Sequence, residues 1–150
     1  MAIWTMTNVL SGAVELPKVN QFGIISEQYS VALTTALANG DTITGPTLPA
    51  SAYLSNVKID VGQLDSNGSP TLTFEAGYSG ALHAFIASGN TTAQAGGITS
   101  ANVAGTVGFT YAPGSPAVPT NCPILITITA GAATAKAGTM VCEITYTVNP

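Results

Sequence analysis

The chain has 150 residues, of which 7% are charged: three lysines, seven acids and no arginine. The formal net charge is −4, the hydrophobic share is 46% and the mean hydropathy is +0.39. This composition argues against intrinsic disorder, which accompanies low hydrophobicity and high net charge. It also argues against binding to nucleic acid, which needs clustered Lys and Arg to displace counterions.

The N-terminal stretch has no regular hydrophobic period but is rich in apolar residues. It lacks the positive region and continuous apolar run of a secretion signal, and no segment approaches the roughly 18 apolar residues of a membrane span. We therefore expect synthesis in a cytoplasm and no contact with a membrane. Residues 1–20 are predicted to be an arm, and 21–150 one domain. The arm is expected to contact a neighbouring molecule through Trp4, Val9, Leu10 and Leu16.

Apolar and polar residues alternate with a period of two over most of the domain. The pattern is clear in Tyr29–Leu37, Val57–Leu64 and Thr71–Tyr78, with Gly, Pro and Asn between such segments. Many short alternating strands indicate an antiparallel sandwich or barrel. We predict an all-β fold, an antiparallel β-sandwich of the jelly-roll kind.

A hairpin is predicted around Asp65–Gly68. A type I′ turn at Asn67-Gly68 would place Asp60 opposite Glu75, and two like charges in that position are unfavourable. A four-residue loop at 65–68 avoids this conflict. The register it predicts pairs Ile59 with Phe74, Val61 with Leu72, and Lys58 with Glu75.

One short helix is predicted at residues 80–88. Ser79 could cap it, Gly89 could end it, and Leu82, Phe85 and Ile86 have the i, i+3, i+4 spacing of one helix face. A helix of two to three turns would need to pack on a sheet to be stable.

A second hairpin is predicted from Cys122–Thr129 and Thr139–Val148. In its register the two cysteines, Cys122 and Cys142, lie about four residues apart along the strands, roughly 13 Å, which is beyond disulfide reach. A shorter loop would bring them together. We expect two buried, reduced thiols.

Catalytic and metal chemistry has few candidates in this sequence. His83 is the only histidine, no nucleophile elbow accompanies it, and we expect it to be dispensable. Paired carboxylates would have to come from Asp41, Asp60, Asp65 or Glu75. No metal-ligand spacing occurs. We predict no enzymatic activity, no catalytic or metal-binding residues and no cofactor.

Several strand ends and turns resemble those of small virion proteins of tailed bacteriophages. The segment Asn39–Ala50 matches the pattern GD-x-I-x-x-x-x-LPA, and Thr134–Tyr146 matches T-A-x-x-G-T-x-x-x-x-I-x-Y. Between them lie an aliphatic strand at Tyr53–Leu64, an L-x-F-x-x-GY strand end at Leu72–Tyr78 and an A-x-x-A-F-I-A segment at Ala81–Ala87. The likeness covers roughly residues 28–148 and is to the head-decoration, or cement, proteins.

This resemblance implies a structural protein on the capsid exterior that binds the major capsid protein lattice, stabilises the head and forms a homotrimer. Two other functions stay open from the sequence. One is a tail, neck or fibre part of the virion, and the other is a carbohydrate-binding module or an enzyme accessory domain.

Overall fold

Ten β-strands form two sheets in the part of the chain that the computed structural model describes, residues 1–8, 24–47, 52–101 and 123–148. Sheet A contains, in spatial order, β1 (Ile3–Thr5), β4 (Thr42–Thr47), β9 (Pro123–Ala130), β6 (Thr73–Tyr78) and β7 (Ala81–Asn90). Sheet B contains β2 (Thr7–Asn8), β3 (Ile24–Leu33), β10 (Gly138–Val148), β5 (Ala52–Val61) and β8 (Gly97–Ser100).

The path of the chain from β3 to β10 is that of one long ribbon folded back on itself. Strands β3 to β6 run out, and β7 to β10 return as their antiparallel partners in the pairs β6·β7, β5·β8, β4·β9 and β3·β10. The ribbon is wrapped into two layers, because β10 also pairs with β5 in sheet B and β9 with β6 in sheet A.

The core lies between the two sheets and is formed by alternate residues of each strand. Ile124, Ile126 and Ile128 of β9 face Met140 and other inward residues of sheet B, and all are essentially inaccessible to solvent. Burial of one such side chain contributes about 1.5–3 kcal/mol relative to leaving it exposed. The predicted all-β sandwich is therefore confirmed, and its period-two pattern reports which residues face inward.

The predicted hairpin at residues 65–68 is wrong, because its two strands belong to different sheets. β5 pairs with β10 and β8, whereas β6 pairs with β9 and β7. Lys58 accordingly lies opposite Glu143 of β10 rather than Glu75, with 2.5 Å between Lys58 Nζ and Glu143 Oε2. The alternation of apolar and polar residues predicts on which face of the sheet each side chain lies, but it does not predict which strand is the hydrogen-bonded neighbour.

The predicted C-terminal hairpin is wrong for the same reason. β9 lies in sheet A and β10 in sheet B, so the loop between them crosses from one sheet to the other. Cys142 of β10 is a free, buried thiol, and burial raises its pKa to about 12, with a further contribution from the Glu143 charge. Cys122 lies outside the described residues.

The helix predicted at residues 80–88 is also wrong, since this segment is the edge strand β7. Its pairing with β6 shifts register twice, so that Phe85 and Ile86, which are consecutive, are both buried. Such irregular burial imitates a helical pattern. The β7 backbone crosses directly over Gly77 of β6, where any Cβ would collide with the Ala81 carbonyl.

The one helix of the described residues, α1 (Thr92–Ala95), is far too short to cross a membrane.

Asp65 joins the two loops that cross between the sheets at one end of the sandwich. Its carboxylate is completely buried and accepts five backbone hydrogen bonds. Three come from its own loop, donated by Asn67, Thr71 and Leu72 at 2.8–3.2 Å. The other two come from the β9–β10 loop, donated by Ala133 and Thr134 at 2.9 and 3.0 Å.

Replacement of Asp65 by Asn tests this connection. An amide has nearly the same shape but directs its own N–H groups toward backbone donors, which leaves buried N–H groups without an acceptor. We expect Asp65→Asn to lower the melting temperature by roughly 5 °C or more. Asp60→Asn, at an exposed carboxylate on sheet B, is the matched control and should change it by less than about 2 °C. Equal shifts in the two variants would contradict the assignment.

Acid unfolding gives a second test of the same carboxylate. Burial alone would raise the pKa of Asp65, but the backbone hydrogen bonds from Thr134, Ala133, Thr71 and Asn67 hold it below its ordinary value. Because the unfolded chain binds the proton more readily, this stabilisation is complete above about pH 5 and is lost as the pH falls through the folded-state pKa. Urea midpoints measured from pH 7 downward should therefore fall in acid, and less steeply for Asp65→Asn than for the wild type. Parallel acid profiles would show that Asp65 does not carry the effect.

Candidate functional site

The first eight residues, predicted to begin an arm that contacts a neighbouring molecule, lie on the edges of the sandwich. β1 pairs in parallel with β4, and β2 pairs with β3, so this short segment contacts both sheets. The Asp41 carboxylate holds its start, because Oδ1 accepts the Ala2 N–H at 2.7 Å and Oδ2 accepts the Ala38 N–H at 2.8 Å. These hydrogen bonds, that from Ala2 first, hold the pKa of Asp41 below its ordinary value.

Trp4 of the predicted interface faces the core of its own subunit. It is half-buried and packs against the core cluster, close in sequence to Met6, which is buried. Its neighbour Ile3 points outward and is 67% exposed. The other predicted interface residues, Val9, Leu10 and Leu16, lie outside the described residues. The structure thus gives Trp4 a packing contact within its own subunit.

The outer face of sheet A carries no exposed charge among the residues that the structure describes and is rich in threonine; we name it the threonine face. Its register places threonines side by side on neighbouring strands, and two of them, Thr73 and Thr129, are 2.8 Å apart between hydroxyl oxygens. Ile3 and Leu125 add apolar surface. The acid that projects from this face among the described residues, Glu75, is buried. The threonines are Thr5, Thr42, Thr44, Thr73, Thr127 and Thr129.

The outer face of sheet B is instead charged and internally hydrogen-bonded. Glu143 lies at its centre and accepts hydrogen bonds from Ser26 Oγ at 3.2 Å and Gln28 Nε2 at 3.0 Å, beside its ion pair with Lys58. Hydrogen bonds from Lys58 and then Gln28 lower the pKa of Glu143. Asp60 adds a further exposed carboxylate to this face.

A further carboxylate cluster joins β3 to β10 within sheet B. Glu27 of β3 accepts hydrogen bonds from the Tyr29 hydroxyl at 2.8 Å and the Tyr146 hydroxyl at 3.0 Å. Burial and the adjacent Glu27 carboxylate raise the pKa of Tyr146, so its hydroxyl stays a donor. The alternation of β3 places Glu27 on the same side as Tyr29, a signal that was available in the sequence.

The residues considered for catalysis are not brought together. His83 is exposed on β7, Asp60 and Glu75 lie on the outer faces of opposite sheets, and Asp41 and Asp65 are occupied by backbone N–H groups. Within the described ranges, no three His, Cys, Asp or Glu side chains are close enough to hold a metal ion. What the structure arranges for contact is therefore two contrasting faces and the N-terminal strands.

Truncation of Trp4 distinguishes packing within the subunit from attachment to a neighbour. Because the ring is half-buried against the core, we expect Trp4→Ala to lower the free energy of unfolding by about 2 kcal/mol, as measured by urea denaturation. Ile3→Ala, which truncates the exposed adjacent residue, is the control and should cost less than about 0.5 kcal/mol. An unchanged stability of Trp4→Ala would mean that the ring does not contribute to the fold.

Comparison with solved structures finds the same fold in bacteriophage capsids. A chain of the capsid of Ralstonia phage GP4 superposes with a TM-score of 0.73 and 23% identity, covering 99% of both chains. A chain of the capsid asymmetric unit of cyanophage Pam1 gives 0.68 and 22%, covering 92% of this chain and 99% of that one. No protein-family model and no curated protein matches the sequence. At these identities the likeness establishes a shared fold, which extends over the full length of both phage chains.

Proposed function

We propose that this chain is a virion structural protein of a tailed bacteriophage, a decoration or cement protein that binds the major capsid protein lattice and stabilises the head. The observation that carries this proposal is the end-to-end fold match with chains from two phage capsids. The sequence resemblance to cement proteins favours the same function.

The strand order supports a jelly roll, the variant of the sandwich that the sequence predicts. Eight strands, β3 to β10, are divided four to a sheet and pair as one folded-back ribbon. A double Greek key of eight strands in two sheets is the jelly-roll arrangement, which is common in viral capsid proteins.

The surface of the molecule supports a role within an assembly. The described acids are largely engaged, by backbone N–H groups at Asp41 and Asp65, by tyrosines at Glu27 and by Lys58 at Glu143. A neutral surface such as the outer face of sheet A can approach other proteins with little desolvation of charge. Many copies on one lattice would make modest single contacts strong through avidity.

The proposed attachment site is the segment that follows β2, with Val9, Leu10 and Leu16, on the exterior of the virion. Trp4 would position this segment by packing against the body. A homotrimer made in the host cytoplasm would then offer three such segments to the lattice.

Binding to capsid shells that lack the protein tests the proposal. We expect the purified chain to bind such shells, and expect the triple variant Val9→Ser, Leu10→Ser and Leu16→Ser to bind at least about tenfold more weakly, because apolar anchors dominate interface energies. Its melting temperature should stay near that of the wild type. The matched control replaces two exposed apolar residues elsewhere, Leu82→Ser and Ile98→Ser, and should bind normally.

Copy number in purified virions separates the proposed function from its alternative. A decoration protein is present in hundreds of copies per head, whereas a few copies per particle would overturn the proposal in favour of a tail, neck or fibre part. Shell binding by the triple variant equal to that of the wild type would move attachment away from the segment after β2.

A further inference from the structure

We propose that Glu75 of β6 and Thr127 of β9 belong to a calcium-binding site on the outer face of sheet A. The site goes beyond the proposed function and departs from the expectation, drawn from the sequence, of no metal-binding residues. No spacing motif indicates it, because its groups lie on strands that are far apart in the chain and meet only through the pairing of β6 with β9.

The carboxylate of Glu75 has no counter-charge within the part of the chain that the structure describes. Its side chain is 8% exposed although it points away from the core, and no described residue forms a hydrogen bond or an ion pair with it. The described lysines, Lys58 and Lys136, are engaged with Glu143 and Gln63, and the chain has no arginine. A largely desolvated, unpaired carboxylate is costly. A cation from solution would remove that cost.

A second polar group without a partner lies beside this carboxylate. Thr127 is directly opposite Glu75 in the pair β6·β9, and its Oγ1 is buried without a hydrogen-bond partner. On its other side Thr127 is opposite Thr42 of β4. Since neighbouring strands are about 4.8 Å apart, the three side chains form a row of one carboxylate and two hydroxyls. Buried polar groups without partners are rare in native proteins, and a bound ion is one explanation of them.

The groups at this position are all oxygen ligands, which suit a hard cation. The main-chain oxygens of Ala81 and Leu82 lie on the same face, against Gly77, which is the next outward residue of β6 after Glu75. The β7 backbone thus covers this part of the face. A site with so little exposure has room for a small ion rather than for a basic side chain of another protein.

Calcium fits this set of oxygens better than magnesium does. Ca²⁺ accepts irregular sets of six to eight oxygens, with waters among them, whereas Mg²⁺ requires an octahedron and retains several of its own waters. The site has one carboxylate and needs no cluster of three acids, because hydroxyl, main-chain and water oxygens complete the set. Since affinity depends on the number of charged ligands, we expect a dissociation constant of about 1 mM.

Melting of the purified full-length chain tests the site. We expect 10 mM CaCl2 to raise the melting temperature by about 3 °C or more over EDTA at equal ionic strength. Glu75→Gln should abolish this shift, and in EDTA it should melt at or above the wild type, because it removes an unpaired charge. Asp60→Asn, which neutralises an exposed carboxylate on sheet B, is the matched control and should keep the full shift.

A second variant tests the hydroxyl separately from the charge. Thr127→Val keeps the shape of the side chain and removes the buried Oγ1 that has no partner. We expect it to weaken calcium binding at least about threefold in isothermal titration calorimetry. Its melting in EDTA shows that the variant is folded.

The outcomes separate this site from the proposed function, since the titrations use the chain without capsid shells. A melting temperature of the wild type that calcium does not change, or a shift that persists in Glu75→Gln, overturns the site. An equal shift in 10 mM MgCl2 overturns the choice of calcium. Weaker shell binding by Glu75→Gln, with no effect of calcium on the wild type, would assign the carboxylate to a basic side chain of the shell and overturn the inference. A chain that binds calcium but not shells would overturn the proposed function alone.

Discussion

The buried carboxylate of Asp65 is the interaction on which the two-layer arrangement most depends. The chain passes from sheet B to sheet A after β5, and back from sheet A to sheet B after β9. Both crossings supply backbone N–H groups to the same two oxygens. Loops that change sheets cannot satisfy their backbone within a ladder, and buried N–H groups without an acceptor are costly. One anionic acceptor therefore satisfies donors from two loops and fixes the spacing of the layers at that end.

The sequence predicted the layers and the buried faces because alternation records burial directly. Ile59, Val61 and Phe74 all face inward as expected. The pairing of strands was not predictable in the same way, because Lys58 could form an ion pair with either Glu75 or Glu143 as far as the sequence shows. The loop at 65–68 has the residues of an ordinary hairpin turn. Its sequence, Asp-Ser-Asn-Gly, gives no indication that the aspartate accepts hydrogen bonds from a second loop 68 residues away. The prediction for β7 was wrong for a different reason. The register shifts in its pairing with β6 bury residues at the spacing expected of a helix, so the pattern predicted a helix where the structure has a strand.

The candidate surfaces were less predictable than the fold. The sequence drew attention to Trp4, yet that ring packs on its own subunit. The contrast between the two outer faces appears only once the strand order is known, because it arises from residues far apart in the chain, such as Thr5, Thr44 and Leu125. The low charge content of the sequence was the feature that best indicated the character of the surface. In a chain with so few ionisable groups, those that remain hold the structure together, at Asp41, Asp65 and Glu143, and leave broad neutral areas outside.

The position of β10 has a consequence for biosynthesis. This strand lies between β3 and β5 in the middle of sheet B, although it is made after every other described strand. Until Gly138–Val148 has left the ribosome, β3 and β5 have no common neighbour, and their backbone edges stay open to other nascent chains. Pairings between strands more than one hundred residues apart, such as Ile25 with Tyr146, also close slowly. The emergence of β10 is thus the event that closes the middle of sheet B, and a chain interrupted before this strand would keep the edges of β3 and β5 unpaired.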